Sequence, residues 1–152
     1  MFRALDNPEY LHTIDSSGLT HKIFAAVVRA DYQTVRGLLT TYPHLVGQIA
    51  LEIGEYGRSM ALLHVASGLG YASLVGLLLE FGACVKAVEG MSGATPLHCA
   101  ALEGRHEVAE ILIKHGADVS VKDGSGYSAL HLAFCFDQRE LGAKLLKARR
   151  GK

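Results

Sequence analysis

The stretch Gly93-Ala94-Thr95-Pro96-Leu97-His98-Cys99-Ala100-Ala101 recurs at a near-constant interval, and this recurrence constrains the fold more than any other feature of the chain. Thirty-three residues after His98 it returns as Gly126-Tyr127-Ser128-Ala129-Leu130-His131-Leu132-Ala133. Thirty-four residues before His98 stands Ala61-Leu62-Leu63-His64-Val65-Ala66. Each copy reads as a helix start. A Thr or Ser ahead of the helix can accept a backbone N–H bond from the first turn, and Pro at the first helical position gives up no needed donor. Leu97, Ala100 and Ala101 then share one helical face, with Ala small enough for close packing.

The period and the Thr-Pro-Leu-His signature resemble the ankyrin repeat. The resemblance implies an all-α repeat solenoid of stacked helix-turn-helix units with β-hairpin loops projecting to one side. It places an N-terminal capping segment at 1–18 and a single ankyrin repeat domain at 19–152. The repeats fall at about 19–56, 57–91, 92–124 and 125–152. A lid at the start is expected because a terminal repeat otherwise exposes an apolar face. Pro8 to Ile14 could form its short helix, and Asp15-Ser16-Ser17-Gly18 reads as a turn.

The repeats differ in quality. In the first, Phe24 takes the place of the histidine, and Gly37 is expected to interrupt a second helix over Thr34–Leu39. Residues 42–54 are an insertion before the second repeat. They are too apolar for a floppy linker, so an added helical turn packed on the stack is expected. The third repeat is the cleanest, with helices over Pro96–Glu103 and Glu107–Lys114, and Asp123-Gly124 signalling a hairpin turn. The last helix should end near Lys147, with a frayed tail over Ala148–Lys152.

Composition narrows the function classes. The chain has 152 residues with 49% apolar content, enough for one domain with a core. Fifteen basic residues balance fifteen acidic ones, so no global field draws it to nucleic acid or membrane. No apolar run is long enough to span a bilayer, and the start has no apolar stretch of the kind a signal peptide needs. Cys84, Cys99 and Cys135 show neither metal nor disulfide spacing, which fits a reducing, intracellular compartment, cytoplasmic or nuclear.

Several patterns suggest chemistry and are absorbed by the repeat. Gly124-Ser125-Gly126-Tyr127-Ser128-Ala129 fits a dinucleotide fingerprint, but no βαβ unit surrounds it. His106-Glu107-Val108-Ala109-Glu110 lacks the second histidine of a zinc-protease helix. His64, His98 and His131 lie one repeat apart and cannot converge on one metal ion. Each instead suits a buried hydrogen-bonding role that ties a helix to a neighbouring hairpin. In the resembled family this histidine bonds the Thr of its own motif. Thr95 supplies that Thr, Ser128 can substitute and Ala61 cannot, so the helix after Ala61 should be less well capped. Cys99 beside His98 points elsewhere on its helix, which argues against a Cys–His catalytic pair. The basic end from Lys144 to Lys152 reads as a solvated helix terminus, with contact to an acidic partner as the other reading.

The expectation is a protein–protein interaction module, monomeric on its own, without catalysis, metal, cofactor or small-molecule substrate. Inhibition of an enzyme or transcription factor by occlusion, and adaptor work for a ligase or kinase complex, both stay open. The resemblance puts partner contacts at hairpin tips and at exposed ends of first helices. In this sequence those are Arg58, Met60, Leu69, Glu89, Met91, Ser92, Leu102, Glu103, Lys122, Ser125, Tyr127, Cys135 and Phe136. Met60, Leu69, Met91, Leu102, Tyr127 and Phe136 make this set richer in apolar and aromatic side chains than solubility requires.

Overall fold

A computed structural model describes residues 18–47, 49–53 and 58–150. Apart from Gly18, the expected capping segment lies outside the described residues. Among the described residues, eight α-helices follow one another in four pairs: α1 (Leu19–Val28) with α2 (Tyr32–Thr41), α3 (Leu62–Leu69) with α4 (Ala72–Glu80), α5 (Pro96–Leu102) with α6 (His106–Lys114), and α7 (Ala129–Cys135) with α8 (Arg139–Arg150). The first helices of successive pairs pack in one row, α1 on α3, α3 on α5 and α5 on α7. The second helices make another, with α2 on α4 and α4 on α6.

The rows close on a continuous core that includes Ile23, Phe24, Leu39, Leu63, Leu78, Leu97, Leu112, Leu141 and Leu145. Ala66, Ala100, Ala101 and Ala133 are fully buried on the first helices, so the absence of bulk there lets that row approach closely. Burying a Leu side chain stabilises a fold by about 1.5–3 kcal/mol, so most of the stability resides in these layers. Within a pair the chain turns sharply at Gly70 (φ 86°) and Gly104 (φ 66°). The Arg105 side chain lies over Gly70 and the Gln138 side chain over Gly104, where a β-carbon would collide with them. Gly suits the left-handed backbone at these two turns and leaves room for the side chain that crosses from the next repeat, while Ala30 and Asp137 take the same backbone (φ 56° each) at the corresponding turns of the first and last pairs. Arg105 Nε also donates to the Gly68 carbonyl at 3.0 Å, a second tie between the same repeats.

Three expectations are corrected here. Helix α2 runs unbroken through Gly37. Its start is secured by Asp31, whose carboxylate accepts from the Thr34 N–H at 3.1 Å and the Thr34 hydroxyl at 2.6 Å. A mid-helix Gly costs only about 1 kcal/mol, which burial of Val35 and Leu39 outweighs. The insertion forms a short 3₁₀ turn over Pro43–Gly47, with Leu45 buried, but its second half is a strand, β1 (Ile49–Ile53). This strand pairs antiparallel with β2 (Arg58–Ala61), aligning Ile49 with Ala61 and Ile53 with Arg58 around an irregularity between Ala50 and Glu52. The extended arm that leads into α3 offers free backbone groups, and pairing satisfies them where an isolated helical turn would not. Finally, α8 continues to Arg150, with Lys147, Arg149 and Arg150 in its last turn, where cations complement the helix dipole.

Candidate partner-binding groove

The loops before α5 and α7 are built alike. Glu89 N–H donates to the Ala94 carbonyl at 2.8 Å, and Asp123 N–H donates to the Tyr127 carbonyl at 2.8 Å. Inside each turn the acid organises the backbone. The Asp123 carboxylate accepts from the N–H groups of Ser125 and Tyr127, both at 2.9 Å. Glu89 Oε2 accepts from the Ser92 N–H at 3.1 Å and also from the Ser92 hydroxyl. The left-handed residue of the Asp123 turn is Gly126 (φ 84°) rather than Gly124. Successive loops are joined by the Gly124 N–H, which donates to the Ser92 carbonyl at 2.7 Å.

The repeated histidines fix these loops to the helices. His98 Nδ1 accepts from the Thr95 N–H at 3.1 Å and lies 2.7 Å from the Thr95 hydroxyl. Its Nε2 is 3.1 Å from the Tyr127 carbonyl, so the neutral ring carries its hydrogen on Nε2 and donates to the next loop. His64 makes the corresponding bond to the Ala94 carbonyl at 3.0 Å. Its Nδ1 is buried without a hydrogen-bond partner among the described residues, and Ala61 gives α3 no side-chain cap. The poorer capping expected from Ala61 is what the structure shows. Burial holds the pKa of both His64 and His98 below the ordinary value, so both rings are kept neutral. His131 is exposed, with Nδ1 2.8 Å from the Ser128 hydroxyl.

Between the two loops and helices α5 and α7 runs a groove of about 370 Å³. Its walls are Met91, Ala94, Cys99, Leu102 and Leu132, with His98, Ser92, Glu89 and Asp123 as the polar lining. The structure thus brings Glu89, Met91, Ser92 and Leu102 together out of the thirteen candidate contact residues. Lys122, Ser125, Tyr127, Cys135 and Phe136 are exposed outside the groove, and Tyr127 meets the His131 ring edge-on at 6.5 Å. Leu69 and Glu103 are half-buried, and the side chain of Arg58 lies outside the described residues.

Two candidates are displaced from the surface. Met60 is 3% exposed, because β2 turns it into the core. Glu89 is 2% exposed, because its carboxylate folds into its own turn. The groove also contains Ala94, His98, Cys99, Asp123 and Leu132, which are not among the thirteen. Leu132 follows His131 by one residue, on a first helix facing the same loops, and Asp123 occupies the turn position that Glu89 fills one repeat earlier. Burial pushes the Cys99 thiol up to about 12, so it stays protonated near neutral pH and cannot act as a thiolate nucleophile.

A larger crevice of about 780 Å³ lies across the second-helix row, lined by Tyr32, Tyr71, Leu74, Leu77, Glu80 and Glu107 among others. Its width follows from the small side chains Ala72, Ser73 and Gly76. None of the exposed large apolar side chains borders it. Val88, Met91, Tyr127, Phe134 and Phe136, each 48–61% exposed, lie instead on the loops or at the α7 end. Of these side chains Met91 lines the smaller groove and none lines the larger crevice, so the smaller groove is the better candidate.

Comparison with known proteins agrees with this architecture. The family model for ankyrin repeats (3 copies) matches residues 23–123 and 63–151. The chain is 41% identical over 86 residues to the ADP-ribosylation factor GTPase-activating protein AGD4 of Arabidopsis thaliana, covering 57% of this chain and 10% of that protein. It is 40% identical over 87 residues to the B-cell lymphoma 3 protein homolog of Mus musculus, covering 57% of this chain and 19% of that protein. It is 35% identical over 89 residues to the putative palmitoyltransferase ZDHHC13 of Danio rerio, covering 59% of this chain and 14% of that protein. The matched region is thus less than a fifth of each relative's length. A repeat period, paired helices, histidine-tied loops and a family match spanning most of the chain converge: the chain belongs to the ankyrin repeat family, whose arrays are non-catalytic protein-interaction modules.

Proposed function

We propose that this chain binds another protein through the groove between its loops and the first-helix row, with α5 and α7 as the floor. The observation that carries this reading is the groove itself, walled by Met91, Leu102 and Leu132 and fixed in shape by the bonds from His98 to Thr95 and to the Tyr127 carbonyl. A preorganised surface loses little conformational entropy when it binds, and that favours affinity. Met91, 59% exposed at the groove, is a flexible apolar side chain able to adapt to a ligand. Tyr127 and Phe136 are further exposed aromatic side chains on the loop before α7 and at the end of α7.

The test is a hydrogen-exchange footprint of a partner captured with the intact chain. Slowed exchange on binding is expected at residues 89–94, 98–102 and 123–136. Protection confined to α4 and α6 would assign binding to the second-helix side and refute this reading.

A further inference from the structure

Glu89 and Asp123 take the same position in successive turns, yet they use their carboxylates differently. Asp123 satisfies its turn with one oxygen, accepting from Ser125 and Tyr127. Glu89 does the equivalent work with Oε2 alone, on the backbone and hydroxyl of Ser92. Its Oε1 is buried and has no hydrogen-bond partner among the described residues. Organising the turn does not need that second oxygen. A buried carboxylate oxygen without a donor is costly, and a cation brought to it is strongly favoured in low dielectric.

The rest of the groove is suited to the same guest. Two of its nine lining residues are carboxylates, and none is Lys or Arg. Met91, Leu102 and Leu132 offer apolar surface of the kind that covers a lysine or arginine stem while the charged head seeks a polar site. His98 adds no competing positive charge, because its ring is neutral and both nitrogens are engaged.

We infer that this groove takes a basic side chain, an arginine or lysine from a segment of a partner protein, with its stem against Leu102, Leu132 and Met91 and its cation against Glu89 and Asp123. The inference rests on the groove being the binding surface proposed above and adds the chemistry of what enters it.

The direct test is an NMR titration of the intact ¹⁵N-labelled chain with the tripeptide acetyl-Ala-Arg-Leu-amide and with its citrulline counterpart, which keeps the shape and loses the charge. The arginine peptide should shift the amides of Ser92, Ala94, Leu102 and Asp123 and bind about tenfold or more tightly than the citrulline peptide, as expected for hydrogen bonds to a charged group. Glu89→Gln should bring the arginine peptide to the citrulline level. Equal binding of the two peptides, or shifts scattered away from the groove, would overturn the inference. The wild-type comparison decides even if Glu89→Gln fails to fold. A captured partner that footprints on the groove but binds unchanged after its Lys and Arg residues become Gln leaves the proposed function standing and removes this inference. A partner with no footprint there removes both. Self-association that is lost in the Arg149→Ala, Arg150→Ala double variant would give the groove to a second copy and overturn the assignment to a partner.

Discussion

His98 and His64 occupy the same place in adjoining repeats, but His98 uses both ring nitrogens and His64 only one. Both donate through Nε2 to the carbonyl of the next loop, so that bond is what the array keeps. The Thr95 contact is an increment, present where the motif is complete and absent where Ala61 replaces Thr. His131 extends the series. It keeps the Ser128 contact, but no loop follows α8 among the described residues to cover it, and it is exposed. Burial of this histidine therefore comes from the following repeat, and capping comes from its own.

The largest effect should separate the two buried rings. His98→Ala leaves the Thr95 N–H without its acceptor and takes one of two donors from the Tyr127 carbonyl, which keeps the Asp123 N–H, and should destabilise by roughly 1–3 kcal/mol. His64→Ala only takes one of two donors from the Ala94 carbonyl, which keeps the Glu89 N–H, and should cost about 1 kcal/mol less. Urea midpoints of the two variants test this, and equal losses would break the comparison.

Exchanging the caps should move the repeats toward each other. Thr95→Ala is expected to cost about 1 kcal/mol, and Ala61→Thr to gain a similar amount by giving His64 Nδ1 a partner. Thermal or urea unfolding measures both. A destabilising Ala61→Thr would mean that the position cannot house the hydroxyl.

The pH dependence is smaller near neutrality. Burial depresses the folded pKa of His64 and His98, so the unfolded chain binds more protons as pH falls below about 6.5. Stability from these rings is complete above that value and declines as pH falls toward the folded pKa, by at most about 1.4 kcal/mol per pH unit for each ring. His98→Gln should flatten the profile below about pH 6.5. An unchanged slope would mean that another group carries the dependence.

The smallest effect sharpens the same contrast at the neighbouring side chain. Exposed Cys84 and Cys135 should react with a thiol reagent at neutral pH, while Cys99, buried beside His98, should react only on unfolding. His98→Ala should speed labelling of Cys99 more than His64→Ala does. Equal rates would show that the His98 bonds do not control local opening.

The features the sequence discloses are the local ones. Thr95-Pro96-Leu97-His98 encodes a cap, a helix start and a loop tie within four residues, and the structure realises all three. What stayed hidden depends on distant partners. Ile49–Ile53 becomes a strand only because Arg58–Ala61 lies extended beside it. The register alone puts Met60 at a loop tip, and the pairing with Ala50 turns it inward. Glu89 was misplaced because its turn carries one residue more than the Asp123 turn, so the repeat register alone could not reveal that it holds the backbone. The groove itself was half legible: Leu102 and Met91 follow from register, whereas Cys99, Asp123 and Leu132 join it only through the stacking of α5 on α7.

The claim that the loop and first-helix side is the working surface can be tested most directly by partner affinity across a small set of variants. Met91→Ala, Leu102→Ala, Tyr127→Ala and Phe136→Ala sample that side, with Lys114→Ala on the second-helix row as the control. With folding confirmed by circular dichroism, at least one groove or aromatic variant should lose about 2 kcal/mol of binding, roughly thirtyfold, while Lys114→Ala stays within about twofold of wild type. Normal binding by all four together with a loss in Lys114→Ala would contradict the account.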